Sequence, residues 1–354
     1  MAYVKRALVG LLGLAVLALL AFGGLVLWLW ATDYRPPQVV DLQVRGAGEQ
    51  GAPAELSLLT WNVGYAGLGA EQDFFLDGGS RGWPGPDEVR RYLDGITSYL
   101  QGHPADVVML QEVDRGSKRT HYVNEVEAVA AALPDYAWVF AKNYDVAFVP
   151  VPPTSPMGRV VAGQMTLSRW RPTAAERHAL PGEYSFLVQL VQLDRCFILE
   201  RIPAPDGREW VLINTHNSAF DAGQLREQQL GYIKEVMTRE YAAGNYVVVG
   251  GDWNLILPGV DPDTAFAHTE PRPEFYLPFP EDWTPAGWTW AYDARVPTNR
   301  SVSRPWSPGE NYVTVIDGFL VSPNVKVEEV HTDDLGFAYS DHQPVRVRLS
   351  VGER

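Results

Sequence analysis

The segment of residues 247–254 constrains the fold most, because three valines run directly into two glycines, an aspartate, a tryptophan and an asparagine. The valines predict a buried β-strand, and Gly250 and Gly251 allow a tight turn or the close approach of another group. Asp252 and Asn254 are two residues apart, so an extended backbone points their side chains to the same side. This pair suits a bound phosphate or a metal-bound water, although a plain Asx turn after a core strand explains the same residues.

Residues 1–31 predict an uncleaved, single-pass membrane anchor. Residues 7–31 contain no charged side chain, and a helix of that length spans roughly 37 Å, more than a hydrocarbon core of about 30 Å. Lys5 precedes this run and Trp28 and Trp30 end it, which predicts a cytoplasmic N-terminus and a catalytic domain outside the cytoplasmic membrane. A cleaved signal peptide is the alternative, but the run is long for one and lacks a small-x-small cleavage site.

The rest of the chain predicts a short linker and one large domain. Residues 32–55 are rich in proline and glycine and predict a linker, and residues 56–354 predict the catalytic domain. The formal net charge of −14 argues against loose, charge-driven binding of nucleic acid. It does not exclude a polyanionic substrate, because a bound divalent cation supplies local positive charge. The single cysteine excludes an intrachain disulfide.

Hydrophobic patterning predicts alternating strands and helices over this domain. Helices are predicted at residues 86–102, 122–133 and 224–243. Strands are predicted at residues 56–62, 107–112, 163–168, 186–193, 196–202, 209–215, 247–249, 315–321, 325–331 and 345–349. Loops are predicted at residues 65–86, 145–162 and 254–314.

Polar residues recur at the ends of the predicted strands, or directly beside them. They are Asn62, Glu112, His216, Asp252 with Asn254, Asp317, and Asp341 with His342. One such residue is a common turn former, whereas a set from across the chain that includes several carboxylates is hard to explain by turns. Strand ends that gather at one sheet edge are where α/β enzymes build their sites.

These polar residues lie in six short motifs: Thr60-Trp61-Asn62, Gln111-Glu112-Val113, Asn214-Thr215-His216, Gly251-Asp252-Trp253-Asn254, Ile316-Asp317 and Ser340-Asp341-His342-Gln343-Pro344. The residues and order of these motifs resemble the endonuclease/exonuclease/phosphatase superfamily, which includes deoxyribonuclease I, apurinic endonucleases, neutral sphingomyelinases and inositol polyphosphate 5-phosphatases. The resemblance covers about residues 56–350. It implies an α/β fold, a deoxyribonuclease I-like four-layer sandwich of two packed mixed β-sheets flanked by helices. It also implies Mg²⁺-dependent hydrolysis of phosphoesters.

The same resemblance implies a metal site and a water-activating group. Glu112 is expected to be the principal ligand of Mg²⁺, or of Mn²⁺ in its place, with Asn62 nearby and Asp341 contributing. Carboxylate and water oxygens are the ligands that Mg²⁺ prefers. Asp252 is expected to orient or deprotonate the attacking water, and Asn254 to hold a phosphate oxygen.

Two histidines complete the implied machinery. Asp341 is expected to orient His342 as an acid–imidazole pair, and His216 to donate to phosphoryl oxygens as charge develops there. Asp317 resembles a second orienting aspartate of the superfamily, with a purely structural hydrogen bond as its alternative role.

The long irregular segment between Asn254 and Val315 is expected to govern substrate choice. It contains many aromatic residues, together with Arg300 and Arg304, which have no acidic residue beside them. We hypothesise that this segment forms one wall of the substrate cleft, with these arginines, and Arg159 from an earlier loop, facing phosphate. The alternative is that the aromatic residues pack the segment onto the sandwich and the arginines are solvated.

Two functions are consistent with the sequence. The first is a membrane-anchored, monomeric, metal-dependent phosphodiesterase or phosphatase acting on a nucleic acid, a phospholipid headgroup or a small phosphoester. The second is an inactive binding or scaffold protein that keeps the fold. Because every implied Glu, Asp and His is present, we favour the enzyme. The anchor makes a processive nuclease less suitable and allows a lipid substrate, yet it is also compatible with scavenging of extracellular DNA or nucleotides.

Overall fold

Two seven-stranded mixed sheets lie face to face and helices cover their outer faces, which confirms the predicted four-layer sandwich. The structure, a computed structural model, describes residues 2–219, 221 and 224–352. The helices are α1 (Ala2–Ala31), α2 (Pro86–Gly102), α3 (Glu125–Ala132), α4 (Phe186–Gln189), α5 (Gln224–Ala242) and α6 (Pro262–Ala265). The strands are β1 (Val39–Asp41), β2 (Arg45–Gly46), β3 (Glu55–Asn62), β4 (Val107–Asp114), β5 (Ala137–Val149), β6 (Gly158–Ser168), β7 (Ala174–Ala179), β8 (Cys196–Pro203), β9 (Glu209–His216), β10 (Tyr246–Asp252), β11 (Thr289–Ala291), β12 (Asn299–Arg300), β13 (Val313–Thr314), β14 (Asp317–Val321), β15 (Val325–Thr332) and β16 (Val345–Val351).

The strand order brings several strand ends to one edge. The first sheet runs β1-β7-β8-β9-β10-β14-β11, and the second runs β15-β16-β3-β4-β6-β5-β2. Each sheet contains one parallel pair, β9 with β10 and β3 with β4, so the carboxyl ends within each pair lie at the same edge. Strand β14 runs antiparallel to β10, so its first residue lies beside the last residue of β10.

Alternate residues of the central strands enter different cores. Leu58, Met109 and Val248 lie between the two sheets, whereas Val247 and Val249 point to the outer face beneath α5. A side-chain period of two explains this division. The uninterrupted valines therefore belong to a strand that is buried on both faces, as predicted.

Several parts of the chain differ from the sequence-based expectation. The end of β5 and the start of β6 extend into the region predicted as a loop at residues 145–162, and β7 was not predicted. The segment predicted as a strand at residues 186–193 contains the short helix α4. Its apolar residues satisfied the strand pattern equally well, because a short apolar run does not distinguish strand from helix. Part of the predicted linker is also sheet, since β1 pairs with β7 and β2 with β5.

Helix α1 has the length and composition of a membrane-crossing helix, and most of it is exposed. Its last turns contact the domain. Leu29 is buried, and Leu25 and Val26 pack against the same apolar cluster, which also contains Tyr144 and Met157.

Glu200 is a buried carboxylic acid between the two sheets. It lies on β8 between Ile198 and Ile202, which both belong to inter-sheet apolar clusters. Neither carboxylate oxygen has a hydrogen-bond partner within the described part of the chain. Burial alone raises the pKa of Glu200 to about 8, so the folded protein keeps this side chain neutral at neutral pH.

We expect Glu200→Gln to change the pH dependence of stability. Between the ordinary pKa of glutamate and a pKa of about 8, the folded state binds a proton that the unfolded state has lost. The free energy of unfolding therefore falls as pH rises through this window, by on the order of a few kcal/mol. The variant should be more stable than the parent at pH 8 and should differ less at pH 5.

Thermal melts of the full-length protein in detergent at pH 5, 6.5 and 8 measure this effect. Glu235→Gln is the matched control, because the Glu235 side chain is 68% exposed. Parallel curves for the parent and Glu200→Gln would contradict the assignment of a protonated Glu200.

Candidate active site

Three neighbouring strands place His216, Asp252 and Asp317 side by side. Asp252 is opposite His216 in the parallel pair of β9 and β10, and opposite Asp317 in the antiparallel pair of β10 and β14. The second sheet brings Asn62, the last residue of β3, and Glu112 of β4 to the same edge. The site therefore lies where the ends of both sheets meet.

The two glycines before Asp252 are required by close packing. A Cβ atom at Gly250 would lie 2.5 Å from the ring of Phe319. A Cβ atom at Gly251 would lie 2.0 Å from the carbonyl oxygen of Thr215, and Gly251 has a φ of +145°. Only glycine fits both constraints, so these residues let β10 lie close to its neighbours and bring Asp252 beside His216.

Asp252 is the centre of the polar network. Its Oδ2 atom lies 3.0 Å from Nδ2 of Asn62, 3.4 Å from Nε2 of His216 and 3.7 Å from Nε2 of His342. Its Oδ1 atom accepts a hydrogen bond from the backbone N–H of Asn254 at 2.9 Å. One carboxylate therefore faces both histidines from a fixed position.

The pKa of Asp252 is raised to about 6, mainly by burial; Asp317 adds to this and His342 opposes it. The like charge of Asp317 disfavours a second buried carboxylate, whereas an imidazolium stabilises it. The two aspartates and His342 thus form one coupled group of charges.

His342 is held by Asp317 and not by Asp341. Its Nδ1 atom lies 2.9 Å from Oδ2 of Asp317, which corrects the expectation that Asp341 orients this ring. Burial opposes protonation, but Asp317 and Asp252 outweigh it and raise the pKa of His342 to about 10. Asp341 instead contacts Ser340, whose hydroxyl donates to its Oδ1 at 3.3 Å.

Asn299, which the sequence did not single out, contacts the other side of the same ring. Its Nδ2 atom lies 3.0 Å from Nε2 of His342, and its Oδ1 atom accepts from the Tyr276 hydroxyl at 2.5 Å. In this arrangement Nε2 of His342 accepts a hydrogen bond from Asn299, which requires a neutral ring. The raised pKa of His342 instead favours the protonated ring. A half-turn of the Asn299 amide presents its oxygen to Nε2 instead, so the network accommodates both protonation states.

His216 is neutral in this environment. Burial, and then the positive charges of Arg195 and His342, hold its pKa well below the usual range. Its Nε2 atom faces Asp252 at 3.4 Å and Glu112 at 3.8 Å. A neutral ring with its proton on Nε2 donates toward these carboxylates and toward any oxygen bound between them.

Glu112 and Asp341 form the acidic side of the cleft. Glu112 has a φ of +54° and lies where the pairing of β4 with β6 shifts register. A bulge of this kind re-aims a side chain, and non-glycine residues with positive φ concentrate at functional sites. Burial raises the pKa of Asp341 to about 6, His342 lowers it and the like charge of Glu112 raises it further.

This donor set fits a divalent cation. The Glu112 side chain is 26% exposed and lines the same cleft as Asp341, so their oxygens are available to a hard ion such as Mg²⁺. Asn62 lies beside them, but its Nδ2 atom donates to Glu112 at 3.2 Å and its Oδ1 atom accepts from Gly64 N–H at 3.0 Å. In this orientation Asn62 bridges Glu112 and Asp252, and a ligand role for its oxygen requires a turned amide.

Asp252, Asp317 and His342 form a second group whose ligand atoms lie within 4.8 Å of one another. We assign this group to acid–base chemistry, because Nδ1 of His342 is already hydrogen bonded to Asp317 and all three residues are buried. The more accessible Glu112 is the better starting point for a metal site.

Asn254 lines the cleft, with a φ of +51°. Its Nδ2 atom donates to the carbonyl oxygen of Asn217 at 2.9 Å. The side chain is therefore fixed beside Asp252.

The predicted arginines do not line the cleft. Arg300 is fully buried, and its guanidinium donates to backbone carbonyl oxygens, among them those of Leu68 and Gly69 at 3.1 and 3.0 Å. It therefore joins two loops, and the prediction that it faces the substrate is wrong. Arg304 and Arg159 form ion pairs on the surface, with Glu310 and Asp145 respectively.

Two other arginines line the cleft instead. Arg119 is neutralised by a two-point contact with Asp114 at 2.8 and 3.0 Å, and it stacks on Tyr65 at 3.7 Å. Arg195 has no ion pair or side-chain hydrogen bond within the described ranges, and its Nη1 atom is buried. Nothing in the sequence around Arg195 marked it, because an arginine at the start of a strand is common.

The cleft has a volume of about 200 Å³. Its polar lining includes Glu112, Asp252, Asp341 and both histidines. Its apolar lining includes Leu68, Phe74, Leu76 and Val151, together with an apolar end formed by one cluster that contains Tyr144, Val149, Met157, Val191 and Leu193. The segment after Asn254 also contributes a wall, through Phe275, Tyr276, Asn299 and Val302, whereas Trp283, Trp288 and Trp290 pack onto the sandwich.

The fold has known counterparts among solved structures. An endonuclease/exonuclease/phosphatase from Beutenbergia cavernae has a TM-score of 0.54 at 20% identity, over 84% of this chain and 72% of that one. D. rerio TDP2 complexed with a single strand DNA product has a TM-score of 0.51 at 17% identity, over 84% and 99%. The human Nocturnin catalytic domain with bound sulfate has a TM-score of 0.50 at 17% identity, over 90% and 100%. No curated protein matches the chain.

A two-sheet sandwich with carboxylates and histidines gathered at one edge defines the class of metal-dependent hydrolases that act on phosphate esters, and this chain is an enzyme of that class. The profile of the Endonuclease/Exonuclease/phosphatase family matches residues 59–342, and the chain belongs to that family.

Proposed function

We propose that the protein is a membrane-anchored phosphoesterase that uses Mg²⁺ to hydrolyse phosphodiester or phosphomonoester bonds by attack of water. The observation that carries this proposal is the position of Asp252 Oδ2, within 3.7 Å of nitrogen atoms of Asn62, His216 and His342. The acidic side of the same cleft supplies oxygen ligands of the type that Mg²⁺ takes. Mn²⁺ has similar ligand preferences and is the alternative ion.

Each polar residue then has a separate task. Asp252 orients the attacking water and accepts its proton. The His342–Asp317 pair donates a proton to the leaving oxygen, and neutral His216 donates to phosphoryl oxygens as negative charge develops on them. Glu112 and Asp341 would hold the cation, which when bound polarises a phosphoryl oxygen and offsets its charge.

An activity screen with the full-length protein in detergent tests this function. The substrates are bis-p-nitrophenyl phosphate, p-nitrophenyl phosphate, plasmid and single-stranded DNA, sphingomyelin and phosphoinositides. DNA is included because the related TDP2 structure contains a single strand DNA product. Hydrolysis of at least one substrate that stops with EDTA and returns with Mg²⁺ or Mn²⁺ is expected. Absence of metal-dependent turnover on every substrate would favour an inactive binding protein.

We also propose that the catalytic domain lies outside the cytoplasmic membrane. The support is the positive flank of Lys5 and Arg6 before the apolar run. Protease added to intact spheroplasts should therefore digest the domain while a cytoplasmic marker survives. Protection of the domain until the membrane is lysed would establish the opposite orientation.

A further inference from the structure

The end of helix α1 and the apolar end of the cleft belong to one cluster. Leu25, Val26 and Leu29 pack against a group of side chains that includes Tyr144, Val149 and Met157. Tyr144, Val149 and Met157 also line the cleft. The apolar cluster that packs against the anchor helix therefore also forms part of the wall of the catalytic cleft.

This contact sets the height of the cleft above a membrane. Leu25 and Val26 lie inside the apolar run that would occupy the hydrocarbon core, and Trp28 and Trp30 lie at its end, where aromatic side chains mark the membrane interface. A domain surface that touches Leu25 must lie at the surface of the bilayer. The apolar mouth of the cleft consequently lies at the same level.

Exposed apolar side chains occur on α4 and on the lining of the cleft. Phe186, Leu187 and Val188 of α4 are 58%, 51% and 40% exposed, and Leu76 and Val151 at the cleft are 49% and 36% exposed. A single exposed leucine needs no explanation, but three successive exposed apolar side chains, in a segment whose neighbouring residues line the cleft, indicate an interaction surface.

A second cavity connects α4 to the anchor. Phe186 and Trp30 line it together, and it shares Tyr184, Leu193 and Arg195 with the catalytic cleft. Residues 184–195 thus border both spaces, with Phe186 lining the cavity beside the anchor and Arg195 lining both cavities.

The distribution of charge favours a lipid over a nucleic acid. The chain has a net charge of −14, and of the two arginines in the cleft, Arg119 is paired with Asp114. A nucleic acid needs a track of cations along its backbone, whereas a single phosphodiester needs one site. Arg195, which makes no ion pair or side-chain hydrogen bond within the described ranges, provides one cation in the cleft that also contains the catalytic residues and the apolar walls.

We propose that the substrate is a phospholipid phosphodiester of the leaflet that surrounds the outer end of α1, and that it enters the cleft sideways from the bilayer. Phe186, Leu187 and Val188 insert into the interface beside the mouth, and Arg195 contacts the phosphate. Water forms a new P–O bond and one P–O ester bond breaks, so the products are an alcohol and a phosphomonoester. This inference rests on the proposed function, whose chemistry it assigns to one class of substrate.

The test uses the full-length protein reconstituted in vesicles of phosphatidylcholine, phosphatidylethanolamine, phosphatidylglycerol and sphingomyelin. The double variant Phe186→Ser/Leu187→Ser should lower kcat/KM for vesicle phospholipid by about tenfold or more, the loss expected when apolar burial in the interface is removed. Hydrolysis of soluble bis-p-nitrophenyl phosphate should change less than about twofold, because that substrate needs only the polar end. Tyr122→Ser is the matched control, since Tyr122 is 65% exposed and lines neither cavity.

The outcomes separate this inference from the proposed function. Metal-dependent hydrolysis of the aryl diester without hydrolysis of any vesicle lipid would overturn the lipid inference and leave the proposed function intact. A higher kcat/KM for single-stranded DNA than for lipid, or equal losses of the double variant on both substrates, would also overturn it. No turnover of either substrate would instead contradict the proposed function.

A fluorescence measurement that does not depend on activity tests the same proposal if the double variant does not fold. Leu187→Cys labelled with an environment-sensitive fluorophore should show blue-shifted emission in the vesicles, whereas Tyr122→Cys should emit as in water. The native Cys196 is buried and is not expected to react. Water-like emission from position 187 would overturn the insertion of α4.

Discussion

Glu112→Gln should abolish metal-dependent turnover while the fold survives. The substitution removes the charge of the accessible carboxylate at the bulge in β4 and keeps its shape. The electrostatic contribution of a catalytic cation is several kcal/mol, so kcat should fall by at least about 10³-fold. The concentration of Mg²⁺ that gives half of the maximal rate should rise as well.

A melting experiment checks the metal assignment independently of activity. Mg²⁺ should raise the melting temperature of the parent, because a ligand that binds only the folded state stabilises it, and this rise should be lost in Glu112→Gln. Glu235→Gln, at an exposed site on α5, should behave as the parent in both assays. A variant at position 112 with parental turnover at limiting Mg²⁺ would show that another residue is the principal ligand.

Asp317→Asn should reduce kcat by about 10²- to 10⁴-fold, which is the range of general acid–base catalysis. Asp317 is fully buried and accepts from His342 Nδ1 at 2.9 Å. The amide keeps the shape but removes the charge that favours the protonated ring, and its N–H₂ group can face Nδ1 and select the wrong tautomer.

The dependence on the leaving group distinguishes the role of this pair. If His342 protonates the leaving oxygen, Asp317→Asn should lose much less activity on an aryl diester, whose phenolate leaves without a proton, than on an alkyl diester. Asp87→Asn is the control, since the Asp87 side chain on α2 is 93% exposed. Equal losses on both substrates would exclude the role of His342 as general acid and would favour activation of water.

Local patterns were sufficient to find the elements that carry the site. Apolar strands that end in a polar residue can be predicted from the sequence, because side chains alternate along a strand. The end of the apolar run also marks the end of the strand. Asp252, His216 and Asn62 were found in this way, and the apolar run of α1 was found from length and charge alone. The short apolar segment at residues 186–193 was misassigned, because its residues suit either secondary structure.

Contacts between residues that are distant in the chain could not be predicted from the sequence. Asn62 and Asp252 are 190 residues apart in the chain, and Asn299 and His342 are 43 apart. Asp341 is adjacent to His342 in sequence, yet the imidazole turns toward Asp317, since the register of β10 and β14 places that carboxylate beside Asp252. Sequence neighbours in an extended segment point to opposite sides, so adjacency was a poor guide to the hydrogen bond.

Apolar periodicity predicted the strands, and short motifs predicted the set of acids and histidines at their ends; the resemblance that these motifs carry implied the family and the four-layer sandwich. The packing of distant loops was needed to show which arginine is a buried link between loops and which one lines the cleft. Arg300 and Arg195 have the same local character, and their difference arises from the carbonyl oxygens and cavities that distant loops place around them. The contact of the anchor helix with the cleft wall is likewise a product of packing between α1 and β5.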